Sequence, residues 1–289
     1  MSKNLQGILW ALTTTALFSI AAAMAKISVA DFHVLQILFI RQLIVFLSVL
    51  PSVAKDFPKN LKTNYPLAHM FRLIGAFIAL STGIWAVSVL PLTTATTLAF
   101  SQIFFVTLLA MKFLKEPIGL QRISAVIIGF IGVLIVLRPS FNGIADTNSF
   151  IPIIGAMGAA VAITCVRKLS QTDTTATLLS YQAIFVGLLS GIPMIWLWVT
   201  PNWPDFLFMV AIGIVATAAQ WTGIKALREG EANVVSSIGY IQLIYASLLG
   251  YLLFSEIPDT FTLIGASLII ASAIYTIRRE ARQKRAALE

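Results

Sequence analysis

Charge is what this sequence has least of: 11% of its residues are Asp, Glu, Lys or Arg, where a soluble domain carries about 25%. So few ionisable groups cannot clothe the surface of a soluble chain of 289 residues. Cysteine is nearly absent. The single Cys165 excludes a disulfide framework and a cysteine-based metal site, and in its apolar run it reads as a small buried thiol. There are two histidines, and no His/Asp/Glu cluster has metal-ligand or acid–base spacing. Neither an enzyme nor a metal or organic cofactor is therefore expected.

What is abundant is apolar: 58% of the residues are hydrophobic and the mean hydropathy is +0.90. Runs of about 20 apolar residues span a hydrocarbon core about 30 Å thick, and in lipid such runs must be helices to satisfy their own backbone. An outer-membrane barrel would instead alternate in polarity over segments of about 10 residues. Ten runs follow one another, over 5–28, 33–51, 68–88, 92–112, 120–138, 150–168, 177–199, 205–225, 232–254 and 260–277. Pro51, Pro91, Pro139, Pro201 and Pro258 fall at or just outside their ends, as helix punctuation does. Lys3 and Ala21-Ala22-Ala23 give the start some likeness to a signal peptide, but its apolar stretch exceeds the usual core of about 7–15 residues.

The basic residues report direction. One set of alternate loops, with the two termini, holds Lys3, Lys55, Lys59, Lys62, Arg72, Lys112, Lys115, Arg122, Arg167, Lys168, Lys225 and Arg228, and the tail Arg278, Arg279, Arg282, Lys284 and Arg285. The other set holds only Lys26 and Arg138. Positive residues stay inside, so both termini are expected in the cytoplasm of a bacterial inner-membrane protein. The net charge of +8 thus belongs to loops facing the lipid bilayer, not to nucleic-acid binding.

The chain also repeats itself. Thr82-Gly83-Ile84-Trp85-Ala86 matches Thr222-Gly223-Ile224-Lys225-Ala226, Gln102 meets Gln242, Leu108-Leu109 meets Leu248-Leu249, and Glu116 meets Glu256. After one inserted residue, Ile257, Pro117 meets Pro258 and Ala125 meets Ala266; Ser48 and Pro51 meet Ser190 and Pro193. Five spans per copy is an odd number, so the second copy must enter the membrane from the opposite side. The charges agree: Lys112, Lys115 and Arg122 have uncharged counterparts, whereas Trp85 and Ser88 are replaced by Lys225 and Arg228. The expected architecture is an all-α integral membrane protein of ten helices in two inverted repeats, 5–138 and 150–277, with a basic tail at 278–289. Inverted repeats serve alternating access, with the substrate between the halves near the midplane. The 12 acidic residues all lie in loops or near span ends. A proton-driven carrier ordinarily embeds one, so a uniporter or exchanger is expected.

This order of motifs resembles the EamA-like family of the drug/metabolite transporter superfamily. The carrying residues are Arg41, Leu90-Pro91-Leu92-Thr93-Thr94-Ala95, Lys115-Glu116-Pro117, and Gly129-Phe130-Ile131-Gly132-Val133 through Arg138-Pro139. The resemblance implies a cavity lined by spans 1, 3, 4, 6, 8 and 9. It also implies a small-molecule substrate: amino acids for export, or a nucleoside-like or vitamin metabolite such as S-adenosylmethionine or riboflavin. The second repeat departs from the pattern with Ala183 where Arg41 has its counterpart.

Eight residues are candidates for the substrate site. Arg41 is the basic residue near the middle of a span, a costly position that marks function by default. It is read either as a counter-charge for a substrate carboxylate or phosphate, or as a structural partner for helix-end carbonyls. Gln102 and Gln242 are repeat mates whose buried amides need partners, from a substrate or across helices. Tyr240 flanks Gln242. Trp10, Trp85 and Trp221 stand apart from Trp196, Trp198 and Trp203, which read as an interfacial belt. Trp85 shares a helix face with Ser81 and Ser88, and Tyr181-Gln182 is a weaker pair. Small residues, Ala125-x-x-x-Gly129 and Gly132 in span 5 and Ser267-x-x-x-Ala271 in span 10, suit close packing as scaffold or at the contact of a homodimer; a monomer is equally open.

Overall fold

The computed structural model describes residues 3–55, 63–114, 120–137, 147–169, 172–229 and 238–286. Lys59, Lys62, Lys115, Glu116, Pro117, Arg138, Pro139 and the last three residues of the basic tail lie outside these. Among the described residues the elements are α1 (Lys3–Ser28), α2 (Val34–Lys55), α3 (Pro66–Val89), α4 (Leu92–Ala99), α5 (Gln102–Leu114), α6 (Leu120–Leu137), α7 (Phe150–Leu169), α8 (Thr175–Gly191), α9 (Met194–Leu197), α10 (Trp203–Glu229), α11 (Ile241–Phe254) and α12 (Thr260–Ala286). Five helices are long and apolar enough to cross a membrane, and five shorter apolar helices accompany them. No strand is present among the described residues.

Local chemistry explains most boundaries. Pro66 opens α3 at its first turn, where a missing N–H costs nothing. Pro91 holds Leu90 extended, which ends α3. Asp259 Oδ1 accepts the Thr262 N–H at 2.7 Å, an N-cap for α12.

Four spans differ from the sequence expectation. Span 2 runs through Pro51 to Lys55, because a membrane helix tolerates one missing N–H. Span 7 stops at Gly191, followed by Pro193 and the single turn of α9. The chain beyond is tied down by Gln36, whose amide donates to the Val199 carbonyl at 2.6 Å and accepts the Val199 N–H at 3.1 Å. Span 4 is divided into α4 and α5 at Phe100-Ser101, where the turns tighten: the Ser101 N–H reaches Leu98 O at 3.0 Å. Its repeat mate breaks at the equivalent place, Tyr240, just before α11.

The principal packings are α3 on α7, α1 on α10, α2 on α8 and α6 on α12. Each joins a helix of the first repeat to one of the second, so the repeats interleave. Lipid gives helices no hydrophobic reason to associate, and small residues let backbones meet instead. A Cβ on Gly75 would stand 2.6 Å from Gly158 O, and one on Gly158 2.7 Å from Gly75 O. The same holds between α6 and α12: a Cβ on Gly132 would lie 2.8 Å from Gly265 O. Of the small residues picked out in these two helices, Gly132 packs at this contact, whereas Ser267 and Ala271 are exposed.

Candidate functional site

Between the interleaved helices lies a cavity of about 360 Å³, within the range of small-ligand pockets. Its wall is mostly alanine and glycine: Ala21, Ala22 and Ala25 from α1, Ala79 and Gly83 from α3, Ala95 and Ala99 from α4, Gly155, Ala156 and Ala159 from α7, and Ala216 from α10. Small side chains keep helices close while leaving width inside. The polar groups are few, namely Arg41, Thr96, Gln102 and Gln242, and the rings of Phe18 and Phe100 line it beside aliphatic residues such as Leu80, Ile84, Val87 and Ile212. The Thr96 hydroxyl is spent on Leu92 O at 2.7 Å. Among the described residues, neither the Gln102 nor the Gln242 side chain has a protein partner, which leaves both amides to the cavity.

Arg41 reaches this lining from α2 because α10 crosses closely at Gly213. A Cβ there would stand 2.7 Å from Ile44 Cγ1 and 3.4 Å from the Arg41 Cα. The Arg41 Nε is buried without a hydrogen-bond partner. Neither ion pair of the described residues includes this guanidinium. The residue as a whole is half-buried, and an always-protonated guanidinium whose Nε has no partner among the described residues is poised for a ligand that brings one.

The break at Phe100 sets the geometry. Phe100 and Tyr240 are repeat mates, and their rings stack with centroids 5.3 Å apart. Two residues on, the mates Gln102 and Gln242 both line the cavity. The site therefore sits where the two repeats meet their counterparts. Tyr240 stands behind Phe100, buried and outside the lining.

Of the eight sequence candidates, the structure brings Arg41, Gln102 and Gln242 together, with Tyr240 supporting. It places the other four elsewhere. Trp85 is 50% and Trp221 41% exposed, and neither lines the cavity. Trp10 lies under Lys225, whose Nζ is 4.7 Å from the ring centroid. Ser81 and Ser88 turn their hydroxyls onto Phe77 O and Trp85 O, both at 2.7 Å.

Two polar clusters bracket the bundle. At one end, Lys26 Nζ donates to Leu90 O at 2.7 Å and to Glu256 Oε1, and Glu256 Oε2 accepts the Leu92 N–H at 2.7 Å. One ion pair thus caps both α3 and α4, with each charge at the helix end it favours. Ser255, left-handed at φ 54°, turns Glu256 back into this position. At the other end, His69 Nε2 donates to Asp173 Oδ2 at 2.7 Å with both side chains 3% exposed, and the His69 ring contacts Tyr181 at 4.6 Å. Beside it, Arg72 donates to Leu178 O at 3.0 Å and to Gln182 Oε1 at 3.1 Å. The pair Tyr181-Gln182 belongs to this cluster and not to the cavity.

Against known proteins, the profile of the EamA-like transporter family matches residues 5–138 and, a second time, residues 149–278. The chain belongs to the EamA-like transporter family. With that double match, the ten helices are two inverted five-helix repeats of the drug/metabolite transporter superfamily, and the protein is a multi-pass membrane transporter rather than an enzyme. It is 27% identical over 285 residues to an S-adenosylmethionine uptake transporter of Rickettsia felis, covering 97% of this chain and 95% of the relative. A riboflavin transporter of Vibrio cholerae is 26% identical over 289 residues, covering 97% and 96%. A pseudopaline exporter of Pseudomonas aeruginosa is 26% identical over 270 residues, covering 93% and 94%. One solved crystal structure superposes with a TM-score of 0.64 at 18% identity, covering 96% of this chain and 99% of the other, which shows the shared fold.

For this EamA-like chain, sequence reasoning passed over the alanine wall, Phe18 and Phe100. Ala21-Ala22 had a different reading, as part of a signal-like start. The available clue was helical spacing: Phe18, Ala22 and Ala25 lie on one face of α1.

Proposed function

We propose that this protein carries small polar organic metabolites across the bacterial inner membrane by alternating access, as a uniporter or exchanger, with amino-acid export its leading activity. The observation that carries the reading is the cavity between the repeats, whose lining brings Arg41, with a buried Nε that has no partner, together with the amides of Gln102 and Gln242. The guanidinium would take a substrate carboxylate, and the amide oxygens its ammonium group. The alanine wall leaves room for an apolar side chain. Both termini are assigned to the cytoplasm from the positive-inside bias, which puts the Lys26–Glu256 end outside. The working unit is a monomer or a homodimer.

A second reading is supported by the relatives named for S-adenosylmethionine and riboflavin and by Phe18 and Phe100 in the lining. Under it, a nucleoside-like or vitamin ring stacks on these phenyl groups.

Counterflow in proteoliposomes with labelled amino acids, nucleosides and vitamins decides between them. Saturable amino-acid uptake is expected, and Gln102→Ala or Gln242→Ala should raise its KM about tenfold, the cost of one lost hydrogen bond. Uptake confined to nucleosides or vitamins selects the second reading, and no uptake from the whole panel removes both.

A further inference from the structure

We infer that the cavity filters its substrates by charge, admitting metabolites that carry a carboxylate and no net positive charge, and refusing net cations. The inference rests on the transport reading above and names the substrate class of that site.

Among the described residues, Arg41 is the charged member of the lining, and no carboxylate stands with it. The acids of the two polar clusters at the ends of the bundle are committed there. Glu256 is held by Lys26 and the Leu92 N–H, and Asp173 by His69 and the Thr172 hydroxyl. A guanidinium stays protonated in proteins, so the cavity carries one fixed positive charge that no ion pair among the described residues neutralises. A substrate carboxylate removes that imbalance through a two-pronged contact matched to the guanidinium fork.

The charge of the remaining substrate groups then decides entry. A zwitterion adds no net charge to the site, and once its carboxylate pairs with Arg41 its ammonium can donate to the amide oxygens of Gln102 and Gln242, which line the same cavity. A metabolite with a second cation has nothing left to pair with. S-adenosylmethionine is such a case, with an ammonium, a sulfonium and one carboxylate. Low dielectric around the cavity strengthens the repulsion from Arg41. S-adenosylmethionine, the substrate in the name of a relative at 27% identity, is therefore expected to be refused by this chain.

The test uses the full chain in proteoliposomes and one carbon skeleton in three charge states: 4-methylpentanoate, leucine and 3-methylbutylamine. S-adenosylmethionine and riboflavin are run alongside. Counterflow of the acid and the amino acid is expected, with the amine and S-adenosylmethionine at least tenfold slower. Arg41→Gln should collapse the acid-to-amine ratio by at least tenfold, while Arg41→Lys, which keeps the charge, should retain most of it. Amine or S-adenosylmethionine uptake as fast as that of the acid overturns the filter, as does an unchanged ratio in Arg41→Gln. Should Arg41→Gln fail to fold, as judged by gel filtration in detergent, the wild-type acid-to-amine ratio alone decides. Riboflavin uptake without uptake of the acid or leucine overturns the filter but leaves transport standing. No counterflow of any compound removes both.

Discussion

Asp173 shows how a residue in a loop becomes part of a membrane core. Burial would raise its carboxyl, but hydrogen bonds from His69, Thr63 and Thr172, with the charge of His69, outweigh burial and hold it below its ordinary value of 3.8. A carboxyl depressed in the folded state stabilises the fold fully above its unfolded value, and that contribution is lost as pH falls through the lower folded value. Asp173→Asn should therefore lower the melting temperature in detergent at neutral pH. It should also shrink the further loss that wild type suffers below about pH 4. Equal melting curves for the two proteins at both pH values would refute this role. In the sequence, His69 reads as an incidental group at a span end and Arg72 as one of the basic loop residues that report direction. Their burial at 3% and 4% exposure depends on α8 lying against α3, a contact between residues about a hundred positions apart that no local pattern records.

At the scale of elements, the elbow between α3 and α4 is closed by a residue from the far end of the chain. Lys26 serves the C-terminal carbonyl of α3 at Leu90, and Glu256 serves the first N–H of α4 at Leu92. Glu256→Gln should destabilise the protein by about 1–3 kcal/mol, combining a weakened cap with an unpaired lysine. The exchanged pair Lys26→Glu with Glu256→Lys restores opposite charges but sets each against the wrong helix end. Thermal unfolding of the double variant should thus recover little of the loss. Full recovery would mean that the charge pair matters and the caps do not. The elements themselves were legible beforehand. Apolar runs marked all ten spans, and prolines marked most of their ends. The break at Phe100 was not legible, because no proline or glycine stands there, and at Tyr240 the lone signal was the preceding Gly239, which a membrane helix tolerates.

For the whole molecule, the distribution of lysine and arginine assigns the sides. Cys165 is the single cysteine, so Cys165→Ser provides a clean background for labelling. In intact cells, a membrane-impermeant maleimide should modify Asn202→Cys, which lies exposed just before α10. It should leave Ser2→Cys unmodified until the membrane is opened. Labelling of Ser2→Cys from outside would reverse the orientation, and with it the assignment of the Lys26–Glu256 end to the exterior.

That this chain is a ten-helix membrane protein with two related halves could be read from the order of its residues alone. Both facts are written in one dimension, as the length of apolar runs and as residues recurring at a fixed separation. The sequence also carried Arg41, Gln102 and Gln242, because a polar group inside an apolar run stands out wherever the helix later packs. Only the tertiary structure decided which candidates share a cavity. Trp85 and Arg41 are equally conspicuous in sequence, yet one is half exposed on the bundle and the other enters the lining. The difference lies in Gly213, whose missing side chain lets α10 close against α2. Interleaving did the rest: since each principal packing joins the two repeats, the cavity is assembled from pieces that no single stretch of chain contains.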